Sequence, residues 1–306
     1  MQKPAAFFTL FQINDFLHKS KTENTAMLRF AFVILLAFLL VLLLVRWFER
    51  QMVFFPSQYP AGFKRIESAA RLNISDAWFN AEDGVKLHGW FVPHSEPRAT
   101  LLMCHGNAGN ISDRYEWLEM LHRQVPANIF IFDYRGYGRS EGEPTEEGCY
   151  RDAEAALNWL AQQENKLPII VHGHSLGSAV AVDLAQRAPD HVAGLILESA
   201  FSNAADMARL MFGPIPLHWL TSMKWASDQK IAAVAIPKLF LHGEHDSIIP
   251  LRLGKKLFDA AAAPKEFVVL TRADHNDTFV MGGDEYYRVI RDFVEKCHAT
   301  EALRLR

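Results

Sequence analysis

The chain has 306 residues, 50% of them hydrophobic, which suits one large α/β domain with an appended segment. The formal net charge of −3 shows no basic excess, so the composition argues against nucleic acid as a partner. The three cysteines, Cys104, Cys149 and Cys297, have no paired spacing and belong to no metal-binding motif.

An uncharged stretch near the N-terminus predicts a membrane helix. Residues 30–45 are all Ala, Phe, Val, Ile or Leu, and Arg29 and Arg46 bound them. At about 1.5 Å per residue the stretch spans about 24 Å, and snorkelling of the two arginines makes up the rest of a bilayer core. No small-residue cleavage pattern follows, so we expect an uncleaved single-pass anchor over residues 27–48. A cleaved signal peptide and a buried core helix are the alternatives.

The side of the membrane on which the remaining chain lies stays open. Lys19, Lys21 and Arg29 precede the stretch, whereas Arg46 and Arg50 follow it, which favours a cytoplasmic N-terminus by a single charge. Met27 is an alternative start, and a chain that begins there has the opposite bias. Residues 1–26 form a leader in this interpretation, and residues 49–76 connect the anchor to a folded domain.

Alternating strand and helix patterns beyond the connector predict a mostly parallel sheet with helices on both faces. A hairpin comes first, because strand patterns within 78–81 and 85–92 flank an Asp83-Gly84 turn. Further strands are predicted at 99–104, 128–132, 167–171, 192–197, 236–241 and 266–270, with helices at 145–162, 179–185, 251–262 and 285–296. This order indicates one α/β domain over residues 77–298 and a tail over 299–306.

Ser175 is the candidate nucleophile of this domain. Residues 173–177 read Gly-His-Ser-Leu-Gly and lie between a predicted strand and a predicted helix. A serine at such a junction presents its hydroxyl at the end of the sheet, and the flanking glycines permit the tight turn and the close helix packing. We expect His174 to be structural or to shape the pocket rather than to react.

A serine hydroxyl needs an adjacent base, and the base needs an orienting carboxylate. His275 is the candidate base and Asp246 the candidate acid, since each follows a later strand at the edge of the sheet where Ser175 lies. Glu198 follows another strand end and is the alternative acid.

A loop of small residues supplies the candidate oxyanion donors. Residues 105–110 read His-Gly-Asn-Ala-Gly-Asn and follow the strand that ends at Cys104. The backbone N–H groups of Asn107 and of Leu176 are the expected pair of donors. A plain glycine-rich turn is the alternative, whereas a phosphate loop is excluded because the Lys-Ser/Thr pair is missing.

Together these motifs resemble those of the α/β-hydrolase domain-containing serine hydrolases, in the membrane-anchored branch with an N-terminal helix. The matching segments are residues 105–110, 133–140 with Gly142 and Pro144, 173–177, His242-Gly243 with Asp246, and 274–276. The resemblance runs from about Met52 to Cys297. It implies the α/β-hydrolase fold, a catalytic triad of Ser175, Asp246 and His275, and hydrolysis of an ester or thioester without metal or cofactor. Ser178 departs from the pattern, because relatives often have glycine there.

Residues 201–231 occupy the position of the lid in such hydrolases. The apolar side chains of Met211, Phe212, Leu217 and Trp219 suit an acyl chain, although ordinary helix packing explains them equally well. We therefore expect a membrane-anchored esterase, lipase or thioesterase that acts on a lipid or another acylated substrate. A serine peptidase on the same fold and a non-catalytic binding protein are the alternatives.

Overall fold

The computed structural model describes residues 5–63, 72–163, 167–213 and 221–304, with side chains from residue 27 to residue 303 of those ranges. It divides into two compact units, Met1–Glu49 and Arg50–Arg306. Helix α1, Ala5–Val53, makes up the described part of the first unit and the first residues of the second. Within its segment Met27–Val53, an 18-residue window has a mean hydropathy of 3.1, and no residue of the segment is buried. A membrane span and a signal sequence both have this length and composition.

The second unit is built on a large, mostly parallel sheet. In chain order the strands are β1 (Phe55–Pro56), β2 (Ser75–Asn80), β3 (Lys86–Val92), β4 (Ala99–Cys104), β5 (Ala108–Gly109), β6 (Ala127–Phe132), β7 (Ile169–His174), β8 (Gly194–Glu198), β9 (Lys238–Gly243) and β10 (Lys265–Leu270). Eight of them form one sheet in the order β10-β9-β8-β7-β4-β6-β3-β2, while β1 and β5 pair separately. All neighbours in the large sheet are parallel except β3 with β2 and with β6. The predicted hairpin and mostly parallel sheet are thus confirmed.

Helices cover both faces of this sheet. In chain order they are α2 (Tyr115–Gln124), α3 (Glu146–Ala161), α4 (Leu176–Arg187), α5 (Ala204–Phe212), α6 (Ser227–Lys230), α7 (Leu251–Ala260), α8 (Thr278–Met281) and α9 (Gly283–Arg304). Strand β4 shows the two-sided burial, because Leu102 and Cys104 join the core cluster under α3, α4 and α7. Leu101 and Met103 join the cluster under α2 and α9. Alternate side chains of a strand point to opposite faces, so both faces are apolar and the strand reads as a continuous hydrophobic run.

The predicted bounds agree with the observed ones to within a few residues for most elements. Strand β4 has the predicted bounds, whereas the strand expected at 167–171 begins at Ile169, because Pro168 has no N–H to give to a ladder. Helix α9 extends to Arg304, well past the expected end. Helix α2 was not predicted, and strand β1 lies where only a connector was expected.

Candidate active site

Ser175 occupies a strained turn between β7 and α4. Its backbone has φ 53° and ψ −120°, a region that side-chain-bearing residues rarely adopt. A Cβ added at Gly177 would collide with the carbonyl of Cys104, and one added at Gly173 would collide with the carbonyl of Gly177. The turn therefore requires glycine on both sides, and it leaves Ser175 at the carboxyl edge of the parallel strands.

The structure brings the three predicted triad residues into one hydrogen-bonded chain. His275 Nε2 lies 2.9 Å from Ser175 Oγ, and His275 Nδ1 lies 2.9 Å and 3.0 Å from the two carboxylate oxygens of Asp246. With the proton on Nδ1, the ring donates to Asp246 and accepts the hydroxyl proton of Ser175. All three side chains are more than nine-tenths buried, so bulk water does not compete for these bonds.

Backbone amides hold the carboxylate of Asp246 in place. Its Oδ1 accepts hydrogen bonds from the N–H groups of Ile248, at 3.1 Å, and Ile249, at 2.7 Å. Burial raises the pKa of Asp246, but the hydrogen bond and charge of His275 and the Ile249 amide outweigh it and lower the pKa overall. Asp246 is therefore ionised at neutral pH and can fix the tautomer of the imidazole.

Asp274 connects the two loops that carry the candidate base and the candidate acid, a contact that the sequence pattern did not reveal. Its Oδ1 accepts from the N–H of His275 at 2.7 Å, from the N–H of Ser247 at 2.7 Å and from Ser247 Oγ at 2.9 Å. The Ser247 and His275 amides lower the pKa of Asp274, so it is also ionised at neutral pH. Its position next to His275 was the only signal in the sequence.

Glu198, the alternative acid, is engaged elsewhere. Its carboxylate accepts hydrogen bonds from His172 at 2.8 Å, from Tyr286 OH at 2.9 Å and from Thr278 Oγ1. The described hydrogen bonds include none between Glu198 and His275. The geometry thus favours Asp246 as the acid. Glu198 instead holds Thr278, at the start of α8 and shortly after His275.

His174, which precedes Ser175 on the turn, contacts the candidate base His275. Its Nε2 lies 3.0 Å from the carbonyl oxygen of His275, and the two rings lie 5.2 Å apart. Burial lowers the pKa of His174 to about 4, so its ring is neutral at pH 7 and donates to the His275 carbonyl. This contact holds the backbone of His275 in place.

The predicted oxyanion loop lies close to Ser175. A Cβ added at Gly106 would lie 3.5 Å from Ser175 Cβ. In the described part of the chain, neither the backbone N–H of Asn107 nor that of Leu176 donates to a protein acceptor. Leu176 is also the first residue of α4, where the helix dipole favours negative charge. Both amides are therefore available to an oxyanion.

Two tyrosines of the loop over residues 133–140 donate hydrogen bonds to backbone carbonyls of the oxyanion loop. Tyr137 OH donates to the Asn107 carbonyl at 2.7 Å, and Tyr134 OH donates to the His105 carbonyl at 3.1 Å. The Asn107 carbonyl also accepts the N–H of Phe55 at 2.9 Å. The peptide group after Asn107 is thus fixed by two donors.

The predicted lid is only partly described. Met211 is 54% exposed, and Phe212 is half-buried at the end of α5. Leu217 and Trp219 lie outside the described residues. The acyl pocket therefore stays a prediction. Among the described residues, no group of three or more His, Cys, Asp or Glu side chains could hold a metal ion.

A family model and two related proteins connect this chain with the α/β-hydrolases. A family model for the α/β-hydrolase fold matches residues 99–220. The α/β-hydrolase domain-containing protein WAV2 of Arabidopsis thaliana is 34% identical over 271 residues, which cover 81% of this chain and 88% of that protein. Protein bem46 of Schizosaccharomyces pombe is 35% identical over 256 residues, which cover 80% of this chain and 81% of that protein.

A solved structure shows the same fold. An esterase of Pyrococcus furiosus superposes with a TM-score of 0.65 at 19% identity, and the match covers 80% of this chain and 97% of that one. At this identity the likeness concerns the fold alone. The relatives of 34% and 35% identity show that the chain belongs to the α/β-hydrolase domain-containing proteins.

Proposed function

We propose that this α/β-hydrolase is a membrane-anchored serine hydrolase that cleaves carboxylic ester or thioester bonds. The fold and its esterase neighbours support hydrolase activity in general. The observation that carries the finer proposal is the 2.9 Å separation of Ser175 Oγ and His275 Nε2. At that distance the imidazole can take the hydroxyl proton as the oxygen attacks a carbonyl carbon.

The reaction proceeds in two halves. Ser175 Oγ bonds to the carbonyl carbon while its proton passes to His275 Nε2, and the Asn107 and Leu176 amides stabilise the developing oxyanion. His275 then gives the proton to the leaving alcohol or thiol, which leaves the acyl group on Ser175. In the second half a water molecule gives its proton to His275 and attacks the acyl carbon. Return of the proton to Ser175 Oγ releases the carboxylic acid.

The membrane part of the proposal is supported by α1. The segment Met27–Val53 is long and apolar enough to cross a bilayer, and no residue in it is buried. No small-residue cleavage pattern follows the uncharged stretch, which favours an uncleaved anchor over a signal peptide.

A fluorophosphonate probe tests the chemistry directly, because it labels only serines that are activated as nucleophiles. The wild-type chain should be labelled, and Ser175→Ala should not. Ser178→Ala is the matched control, since Ser178 Oγ donates to the Ser175 carbonyl at 2.6 Å but lies outside the triad. If Ser175→Ala is still labelled, Ser175 is not the nucleophile. If the wild type is not labelled, the alternative of a non-catalytic binding protein is favoured.

A further inference from the structure

The segment that follows α1 is part of the structure next to Ser175. Strand β1 pairs in parallel with β5, so Phe55 lies opposite Ala108 in the oxyanion loop. Asn107 Nδ2 donates to the carbonyl of Val53, the last residue of α1, at 2.9 Å. Ser57 continues the pairing, with its N–H 3.0 Å from the Gly109 carbonyl. Within the second unit, the last residue of α1 and the segment after it therefore contact the oxyanion loop directly.

Several large apolar side chains near the strand ends of this site are exposed. We call this set the apolar rim: Phe55, Met211, Ile248, Val280 and Met281, with exposed fractions of 51%, 54%, 48%, 47% and 45%. Beyond α1, the other exposed large apolar side chains of the described residues are Tyr59, Trp78 and Leu303. Tyr59 lies just beyond β1, in the same segment as Phe55. Its N–H donates to the Gly138 carbonyl.

Each member of the rim is linked to the candidate active site by a backbone hydrogen bond or by its position in the sequence. Phe55 donates to Asn107, and Ile248 donates its N–H to Asp246. Val280 and Met281 end the short helix that follows His275, and Met211 lies on the helix that follows β8. Because the carboxyl ends of parallel strands share one edge, the rim lies on the edge that carries Ser175.

Exposed apolar groups that collect on one edge indicate an interaction surface, whereas scattered ones are normal. The occupant follows from the chain itself, since the rim begins at Phe55, two residues beyond the end of the segment Met27–Val53. We propose that the apolar rim rests in the interfacial layer of the membrane that holds α1, and that Ser175 takes acyl substrate directly from this bilayer. The inference rests on the proposed function for its chemistry and for the placement of α1 in a membrane.

Quenching by spin-labelled lipid tests the docking without any need for activity. Cys104, Cys149 and Cys297 are buried, and burial raises the thiol pKa of Cys104 and of Cys297 to about 12, so an introduced cysteine should be labelled selectively. Val280→Cys carries a nitrobenzoxadiazole fluorophore in full-length protein reconstituted in phosphatidylcholine vesicles. Lipid with a nitroxide high on the acyl chain should quench this fluorophore several-fold.

Leu303→Cys is the matched control. Leu303 is exposed at the C-terminal end of α9, whereas Val280 lies just before the N-terminal end of that helix. Cys297 Sγ lies against Gly194 at the start of β8, which places this part of α9 at the opposite edge of the sheet. Quenching at 280 with little at 303 supports the docking. Equal quenching at both positions, or none at 280, overturns it.

Activity on two substrates then tests the consequence. The double variant Val280→Ser, Met281→Ser should lose at least tenfold in kcat/KM for a long-chain ester embedded in vesicles and less than twofold for a water-soluble butyrate ester. Leu303→Ser should keep both. An equal loss on both substrates, or none on either, overturns the role of the rim. A wild type that hydrolyses neither substrate refutes the proposed function instead, and the quenching result stands apart from that outcome.

Discussion

Glu198 accepts a hydrogen bond from His172 Nε2 at 2.8 Å, on the strand that leads into Ser175. Burial raises the pKa of Glu198, but the hydrogen bond and charge of His172 outweigh it and bring the pKa to about 2. The carboxylate is therefore ionised, and its Oε2 accepts from His172 and Tyr286 while its Oε1 accepts from Thr278. Glu198 therefore holds His172, Thr278 and Tyr286 together near the edge of the sheet that carries Ser175. Asp246 is the carboxylate that orients His275.

Substitution of the two acids should separate these roles. Asp246→Asn leaves His275 in the wrong tautomer, so we expect turnover to fall on the order of 10⁴-fold with the fold intact. Glu198→Gln should lower the free energy of unfolding by about 1–3 kcal/mol, because a buried set of donors loses its charged acceptor, while turnover changes little. Steady-state kinetics and thermal unfolding of both variants check this. If Glu198→Gln shows the larger loss of turnover, the acid is Glu198.

The hydroxyl of Tyr137 should matter for turnover although it lies outside the triad. It donates to the Asn107 carbonyl at 2.7 Å, and its loss leaves Phe55 N–H as the remaining described donor to that oxygen. Loss of a whole oxyanion donor costs about 10²–10³ in kcat, so a donor that is merely less well placed should cost less. We expect Tyr137→Phe to lower kcat about 3- to 30-fold with little change in KM.

Tyr287→Phe is the control for this experiment, because Tyr287 OH donates to the Phe279 carbonyl and not to the oxyanion loop. It should keep the wild-type kcat. A Tyr137→Phe variant with unchanged kcat and raised KM would instead assign Tyr137 to substrate binding.

The large strands and the loops that follow them were predictable because their signal is local. Strand β4 is an uninterrupted apolar run buried on both faces, and the predicted bounds are the observed ones. The loops carrying Ser175, Asp246 and His275 each follow a strand of the parallel part of the sheet, so their meeting at one edge follows from the parallel topology.

Other parts of the site depend on contacts between segments far apart in the chain. Strands β1 and β5 have two residues each, too few for any periodicity, and they pair only because the folded domain brings them together. The role of Asp274 likewise arises from contact with Ser247 in another loop. For such short or single-residue contacts the sequence offers composition but no pattern.

Two truncations should separate the anchor from the structural segment behind it. The full chain should stay in membranes after washing with high salt and carbonate, and a chain that starts at Met52 should be released and active. A chain that starts at Ala61 should lose at least tenfold in kcat, because Asn107 then lacks Val53 and Phe55 as partners.

Fractionation, N-terminal sequencing and kinetics on the released proteins check this. A mature N-terminus between Arg46 and Pro60 in the natural host would establish a signal peptide and contradict the anchor. Equal kcat for the two truncated chains would show that β1 does not position the oxyanion loop.

The free energy of unfolding should fall as the pH is lowered below neutral. Two buried histidines, His174 and His105, should cause the first part of this loss. Burial lowers the pKa of His174 to about 4 and that of His105 to about 3, whereas unfolded histidine titrates near ~6.5. Below pH ~6.5 the unfolded chain therefore binds more protons than the folded one, and the free energy of unfolding falls until the folded pKa is reached. Glu198 adds a further loss, between its usual range and a pKa of about 2.

The size of the histidine effect should be on the order of 1–3 kcal/mol for each ring. Unfolding midpoints of the full chain in mild detergent, measured from pH 7 to pH 4, check it. His174→Gln keeps a donor for the His275 carbonyl and should flatten the slope over this range. A variant with the wild-type slope would show that His174 does not contribute.

The predicted lid should set a preference for apolar acyl groups. Met211 and Phe212 end helix α5, which follows the strand next to the one that leads into Ser175. Burial of each added methylene is worth about 0.8 kcal/mol, so kcat/KM should rise up to a few-fold per CH₂ until the chain outgrows the site. Replacement of Phe212 and Trp219 by Ala should flatten that rise and leave acetyl ester hydrolysis unchanged. The measurement is kcat/KM from acetyl to decanoyl esters for both proteins. A wild-type profile that is flat, or that falls from acetyl onwards, would show that residues 201–231 do not line an acyl pocket.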